Sequence, residues 1–296
     1  MKPEPAETPV VFPLRYGADD TLGAANEITE EKVREAATLV RQGRRYSLGQ
    51  VLDDRSPTQM WRYWKHSLLV DRVVPGRFLG PNRQSFVEEA VAGALHSGTH
   101  LDALGHIGIG ELAYNGASYA DIVGPTGLAR LGIEGVPPLF TRGVLLDVAA
   151  ARGVAMLDMP YIVGPEDLER AERRAGVRVE PGDAVLIHTG WGALWDADGA
   201  RYAAGEPGIG LDAARWLTDR RVAVVGSDNW AVEAVPSPPD MFPVHQHLIT
   251  LYGVYLLENA RTLELARDGV TAFCFAALAA RLRGASASPV APAAIV

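Results

Sequence analysis

Five short apolar runs, each closed by glycine or a charged residue, are spread over residues 143–278: GVLLDV (143–148), DAVLIHTG (183–190), VAVVGSDN (222–229), GVYLLEN (253–259) and TAFCFAAL (271–278). Runs of this length without polar alternation predict strands buried on both faces, which requires a sheet with cover on either side. Between the second and third, GLDAARWLTDRR keeps Leu211, Ala214, Arg215 and Leu217 at helical spacing, so strand, helix and strand predict a parallel crossover. The fold class is therefore α/β. A second amphipathic helix is expected in ITEEKVREAATLVRQG, with Val33, Ala36, Ala37 and Val40 on its apolar side and Gly43 as its stop. Residues 76–160 carry Gly and Pro too often for regular alternation, which argues against a doubly wound sheet or an eight-fold barrel. With 296 residues, 48 % of them hydrophobic, and no repeat or linker, a single domain over 1–296 is expected. Four prolines in 1–13 predict an extended arm, and the Ala/Pro-rich 284–296 predicts a tail; both are expected outside the core.

Charge and composition narrow the partners. The net charge of −8 arises from 36 acidic against 28 basic residues without a long basic block, so nucleic acid is not expected and a small molecule is. The first residues lack the apolar core of a signal peptide, and no later stretch reaches eighteen apolar residues, which predicts a cytoplasmic protein without a membrane anchor. The single cysteine, Cys274, forbids a disulfide framework and reads as a packed core thiol.

The densest chemistry lies in ALHSGTHLDALGH (94–106). In a helix, His96 and His100 would share a face while Asp102 and His106 would not. In an extended chain all four, at even positions, face one way. A straight strand would separate His96 and His100 by about 13 Å, too far for one metal, so the chain must bend between them. Gly98 permits that bend, and Thr99 is expected to brace it through a local hydrogen bond. Imidazole and carboxylate converging on one point are the donors preferred by zinc, manganese or iron(II). A second group, His245 and His247, precedes the apolar run that ends in Glu258. A carboxylate closing a buried strand must be paired or metal-bound, and an arginine partner is the alternative. If VHQH is extended, both histidines face the same way. Competing motifs are weak: GIGELA (108–113) matches a relaxed dinucleotide pattern but follows no apolar strand. HTGWG (188–192) and SDNW (227–230) follow strand ends, where His188 and Asp228 serve equally as functional or structural groups.

The segment HSGTHLDALGH resembles the H-x-G-T-H-x-D-x-x-x-H signature of the cyclase family that includes bacterial kynurenine formamidase and isatin hydrolase. YGADDTLGAANEIT, RGVLLDV, PGDAVLIHTGWG, VHQHLI with GVYLLEN, and GASASPV are similar to family segments in the same order. The resemblance implies a compact α/β domain with a curved, barrel-like mixed sheet flanked by helices, assembled as a homodimer or homotetramer. It implies His96, His100 and Asp102 as metal ligands, His106 as the catalytic histidine, and His245 with Glu258 as ligands of a second ion. The His245–Glu258 spacing is about one residue longer than in the formamidases, and His247 is a rival ligand or a substrate contact. One or two ions, Zn(2+) or Mn(2+), fit this pattern.

The expected activity is hydrolysis of a carbon–nitrogen bond in a small amide, formamide or lactam, with His106 carrying a proton. Cyclisation or dehydration of a carbonyl compound at the same site is the alternative. A non-catalytic metal-binding protein is a third reading, against which His106 speaks, because a structural site needs no additional proton carrier. Trp61, Trp64 and Trp191 are candidate walls for a flat substrate.

Overall fold

All five apolar runs become strands of one sheet. The computed structural model describes residues 10–59, 61–71, 77–237 and 239–296. The strands of three or more residues among them are β1 (Arg45–Ser47), β2 (Trp64–Asp71), β3 (Val87–Gly93), β4 (His100–Asp102), β5 (Leu139–Asp147), β6 (Ala184–His188), β7 (Val224–Ser227), β8 (Tyr255–Glu258), β9 (Ala272–Ala277), β10 (Ala287–Pro289) and β11 (Ala293–Ile295). β2 and β3 form a separate hairpin, and the other nine lie in the order β1, β11, β9, β5, β6, β7, β8, β4, β10. The four central strands, β5 to β8, run parallel. Both wings pair antiparallel, so the sheet is mixed. Its accumulated twist curls this single α/β domain into a half-barrel.

The centre is apolar because it is covered on both sides. Every residue of β6, β7 and β8 is buried, including Val185, Leu186, Val224, Val225, Leu256 and Leu257. The predicted crossover helix forms at Leu211–Asp219 and connects parallel β6 and β7. A helix at Pro165–Ala175 was not anticipated from apolar periodicity, because charged residues fill most of it. Its ends were legible nonetheless: Pro165 opens it, and Gly176, at φ 65°, closes it in the left-handed conformation.

Three expectations need correction. The N-terminal helix forms at Glu30–Ala37, but its buried residues are Lys32 and Ala36, while Ala37 and Val40 are exposed. Lys32 goes inward because its ammonium meets Asp183 Oδ1 at 2.8 Å, so a charge pair overrides the apolar pattern. The Ala/Pro-rich segment 284–296 is not outside the core: β10 pairs with β4, β11 lies between β1 and β9, and Ala287, Ser288 and Ala294 have no exposed surface. Small residues gave it no periodicity to read, yet they suit strands that need little side-chain volume. VHQH is helical: the turn Pro243–His245 runs into a π-helix at Gln246–Leu251. Most of the predicted N-terminal arm falls outside the described residues. Among the described residues, no helix is long and apolar enough to cross a membrane.

Candidate metal centre

The site assembles at one edge of the parallel centre, where β8 meets β4. These strands pair antiparallel with Glu258 opposite His100 and Leu257 opposite Leu101. Directly opposed residues share a face, so Glu258 and His100 meet on the site side while the two leucines enter the core. His100 Nε2 lies 3.0 Å from Glu258 Oε2 and 3.5 Å from Asp102 Oδ1. The bend falls where expected, at Ser97–Thr99, with Gly98 at φ 63°; a Cβ there would also collide with the Leu52 side chain. It returns His96 to the group, with Nδ1 2.9 Å from Asp102 Oδ1. Thr99 braces the bend over long range, and not locally as expected: its hydroxyl donates to Asn259 O at 2.7 Å and accepts from Gln50 N at 2.8 Å. Strand geometry ends at Asp102, and a turn closed by His106 N donating to Ala103 O brings the fourth residue back. The His106 ring lies 4.0 Å from the ring of His96.

The second group divides. Residues two apart on a helix point about 200° apart, so His245 and His247 face opposite ways. His245 enters the site, with Nε2 3.1 Å from Glu258 Oε1 and 3.9 Å from Asp102 Oδ2. His247 turns away to Thr218 Oγ1 at 3.0 Å and packs against Tyr252, so the expectation that it is a rival ligand or a substrate contact is corrected. Glu258 has two histidines beside it in place of the alternative arginine.

Several nitrogens are already committed elsewhere. His100 Nδ1 donates to Gly98 O at 2.8 Å, and His245 Nδ1 donates to Glu233 Oε1; each bond turns Nε2 towards the site. His96 Nε2 instead meets Ser286 Oγ at 3.1 Å, leaving Nδ1 inward. His96 Nδ1, His100 Nε2 and both Asp102 oxygens are buried without an aligned hydrogen-bond partner, despite their short mutual distances. Donors aimed at a shared point and not at each other fit a cation. Two triads have ligand atoms within 4.8 Å of one another, His96 with Asp102 and His106, and His100 with Asp102 and Glu258; Asp102 belongs to both.

Electrostatics separates the members. Burial works to raise Asp102, but His106, His96 and His100 overcome it and hold the carboxyl below its ordinary range. Burial likewise opposes ionisation of Glu258, yet His100 and His245 bring it down to about 2. Burial would depress His245, but Glu233 and Glu258 lift it to about 10. For His106 burial wins over the attraction of Asp102 and sets it at about 3, so it is neutral at pH 7.

The aromatic candidates fare differently. Trp191 is only 1 % exposed and packs in a cluster with Trp195, Tyr202 and Trp230, its indole donating to Tyr202 O; it is core and not a wall. Trp61 is 80 % exposed and Trp64 is half-buried on β2. The aromatic ring against the site is Phe242, 5.3 Å from His245, and it was missed. Glu233, Ser286 and Asn259 were missed as well. Glu233, in WAVEAV, is flanked by apolar residues just as Glu258 is, and the same reasoning would have found it. His188 and Asp228 prove structural: Asp228 accepts from Thr189 N, Thr189 Oγ1 and Gly190 N at 2.6 to 2.9 Å, and His188 Nδ1 lies 3.1 Å away. GIGELA forms a tight turn bridged from Ile109 to Leu112 and is followed by a single 3-10 turn, Tyr114–Gly116, in place of an α-helix start for a pyrophosphate.

Comparison with known proteins identifies the family and the fold. A solved structure described as a novel cyclase is 33 % identical, covers 95 % of this chain and 98 % of its own, and superposes with a TM-score of 0.87. Isatin hydrolase A from Ralstonia solanacearum is 22 % identical over 88 % of this chain and 95 % of its own, with a TM-score of 0.65. An isatin hydrolase bound to the product analogue thioisatinate is 17 % identical over 90 % and 99 %, with a TM-score of 0.66. At those two identities the likeness is one of fold. No curated protein matches the sequence. The family described as Putative cyclase matches residues 46–234, and the chain belongs to that family.

Proposed function

We propose that the protein is a metal-dependent hydrolase that breaks the carbon–nitrogen bond of a small amide, formamide or lactam. The observation that carries this reading is the convergence of His96, His100, Asp102, His106, His245 and Glu258 around buried donor atoms that lack aligned partners. His96, His100 and Asp102 would hold one divalent ion, Zn(2+) or Mn(2+), and His245 with Glu258 would hold a second. A divalent cation supplies Lewis acidity there, acidifying water and polarising the scissile carbonyl. His106, neutral because of its burial, accepts the proton of the attacking water and returns it to the departing nitrogen. Glu233 orients the His245 ring, and Phe242 offers an apolar wall beside it. The shared fold of the isatin hydrolases supports hydrolysis, and the net charge of −8 supports a small-molecule substrate over a polyanion.

A second reading, cyclisation or dehydration at the same centre, is favoured by the 33 % identical structure described as a novel cyclase. A panel of formyl-arylamines, isatins and lactones, offered to protein loaded separately with zinc and manganese in 18O-water, distinguishes the two. Hydrolysis incorporates 18O and, on the formyl-arylamines and isatins, frees an amine. Turnover without either outcome sinks the hydrolase reading in favour of the second.

A further inference from the structure

Asn259 follows Glu258 at the end of β8, buried and in the left-handed conformation at φ 55°. Asparagine is one of the few residues that tolerate this conformation, and glycine tolerates it better. Backbone geometry therefore accounts for a small residue at 259 but leaves its side chain unexplained. That side chain makes two long-range bonds. Its Nδ2 donates to Gly98 O at 2.9 Å, and its Oδ1 accepts from the Tyr202 hydroxyl at 2.7 Å. Tyr202 has no exposed surface and its ring meets Trp195 edge-on, which fixes the place of the hydroxyl. The amide can face only one way, because the reverse orientation would set Oδ1 against the Gly98 carbonyl.

Gly98 O is the same oxygen that accepts from His100 Nδ1 at 2.8 Å. Gly98 stands at φ 63°, and a glycine restrains its neighbouring peptides least of all residues, so this carbonyl needs an outside partner to keep its direction. We propose that Asn259 is a positioning residue for His100. Its amide pins the Gly98 carbonyl, and the carbonyl holds the His100 ring with Nε2 towards the ion; Tyr202 keeps the amide in place. The main chain of Asn259 is anchored separately: its N–H donates to Asn229 O and its carbonyl accepts from Thr99 Oγ1, both at 2.7 Å. Loss of the side chain alone thus leaves Glu258 on an anchored backbone. The assignment rests on the metal-dependent reading and adds to it how a fully buried ligand is aimed.

Asn259→Gly separates positioning from a backbone role, because it keeps the left-handed conformation and both main-chain bonds while deleting both side-chain bonds. With zinc as the probe, competition with a chromophoric chelator is expected to show roughly tenfold weaker binding, as for loss of a bond behind a metal-ligating histidine. In proton NMR of the zinc-loaded, 15N-histidine-labelled protein, the Nδ1–H signal of His100 should shift and exchange faster with water. That of His245, held by Glu233, should stay in place. Tyr202→Phe keeps the ring and frees the amide to rotate; it is expected to fall between wild type and Asn259→Gly, and it carries the test if Asn259→Gly does not fold. Zinc affinity within twofold of wild type in the folded variants, as a purely backbone role requires, overturns the assignment of Asn259. So does equal displacement of the His100 and His245 signals, which general loosening would give. Wild type without bound zinc is a distinct result: such a donor set binds zinc more tightly than manganese, so the metal-dependent reading falls and the assignment with it.

Discussion

On the proposed function, Glu233 governs how firmly His245 would hold a cation. Its Oε1 accepts from His245 N at 3.0 Å and from His245 Nδ1, and its Oε2 accepts from Val244 N at 3.2 Å. In Glu233→Gln the carboxamide oxygen takes the place of Oε1 and keeps both His245 bonds, while its NH2 faces the Val244 N–H. One buried donor loses its partner, which costs about 1–3 kcal/mol of apo stability. The imidazole also exchanges a carboxylate for a neutral acceptor, which makes Nε2 less basic. Metal affinity should fall roughly 10- to 100-fold, or about 1.4–2.8 kcal/mol. Competition with a chromophoric chelator measures the affinity, and urea unfolding of the metal-free protein measures the stability. In a His245→Ala background the substitution should change metal affinity no further. If Glu233→Gln is destabilised as expected but binds metal within twofold of wild type, Glu233 only caps the helix start and the argument fails.

Other consequences are tested more briefly. His106→Ala is expected to keep its metal and lose roughly 10² to 10⁴ in turnover; loss of metal in step with activity would make His106 a ligand. His100→Ala should lose most bound metal and His247→Ala none, by elemental analysis of the purified variants; the reverse result refutes the site. Without metal His245 keeps its proton up to about pH 10, so an ion must displace that proton, and apparent affinity should rise about tenfold per pH unit between 6 and 9. A flat profile excludes Nε2 of His245 as a ligand. Asp228 lies below its ordinary 3.8 when folded, so its contribution is present above 3.8 and fades as pH falls through the lower folded value. His188 lies above its ordinary 6.5, so its contribution is full below 6.5 and fades as pH rises through the higher folded value. The pair is at full strength between these limits, and thermal melts of Asp228→Asn should lose that pH dependence.

What the sequence made legible follows from physical reach. The five core strands could be read because solvent exclusion acts on every residue of β6, β7 and β8, leaving continuous apolar runs. His100, Asp102 and Glu258 could be read because ionisable groups beside such runs need partners. Lys32 could not, since its partner Asp183 is 151 residues away (183 − 32) and no local pattern encodes it. His245 and His247 would face one way only in a strand, where their parity is the same, and the helical backbone sends them apart. Segment 284–296 was illegible for another reason: alanine, serine and proline carry almost no periodic signal, although Ser286 reaches His96.

That last contact sets a clock. Ala103 N donates to Ser286 O, Val290 N donates to Thr99 O, and β10 pairs along β4, so the histidine bend is held by residues that leave the ribosome long after it. His96 and Ser286 are 190 residues apart (286 − 96), which takes roughly 10–40 s to synthesise at about 5–20 residues per second. For most of that interval the nascent chain carries His96, His100, Asp102 and His106 without His245, Glu258 or the geometry that sorts one cation from another. Ion selection therefore belongs to the nearly complete sheet, and a chain stalled before residue 286 should bind metals in the order of their intrinsic affinities and not in the order the finished protein prefers.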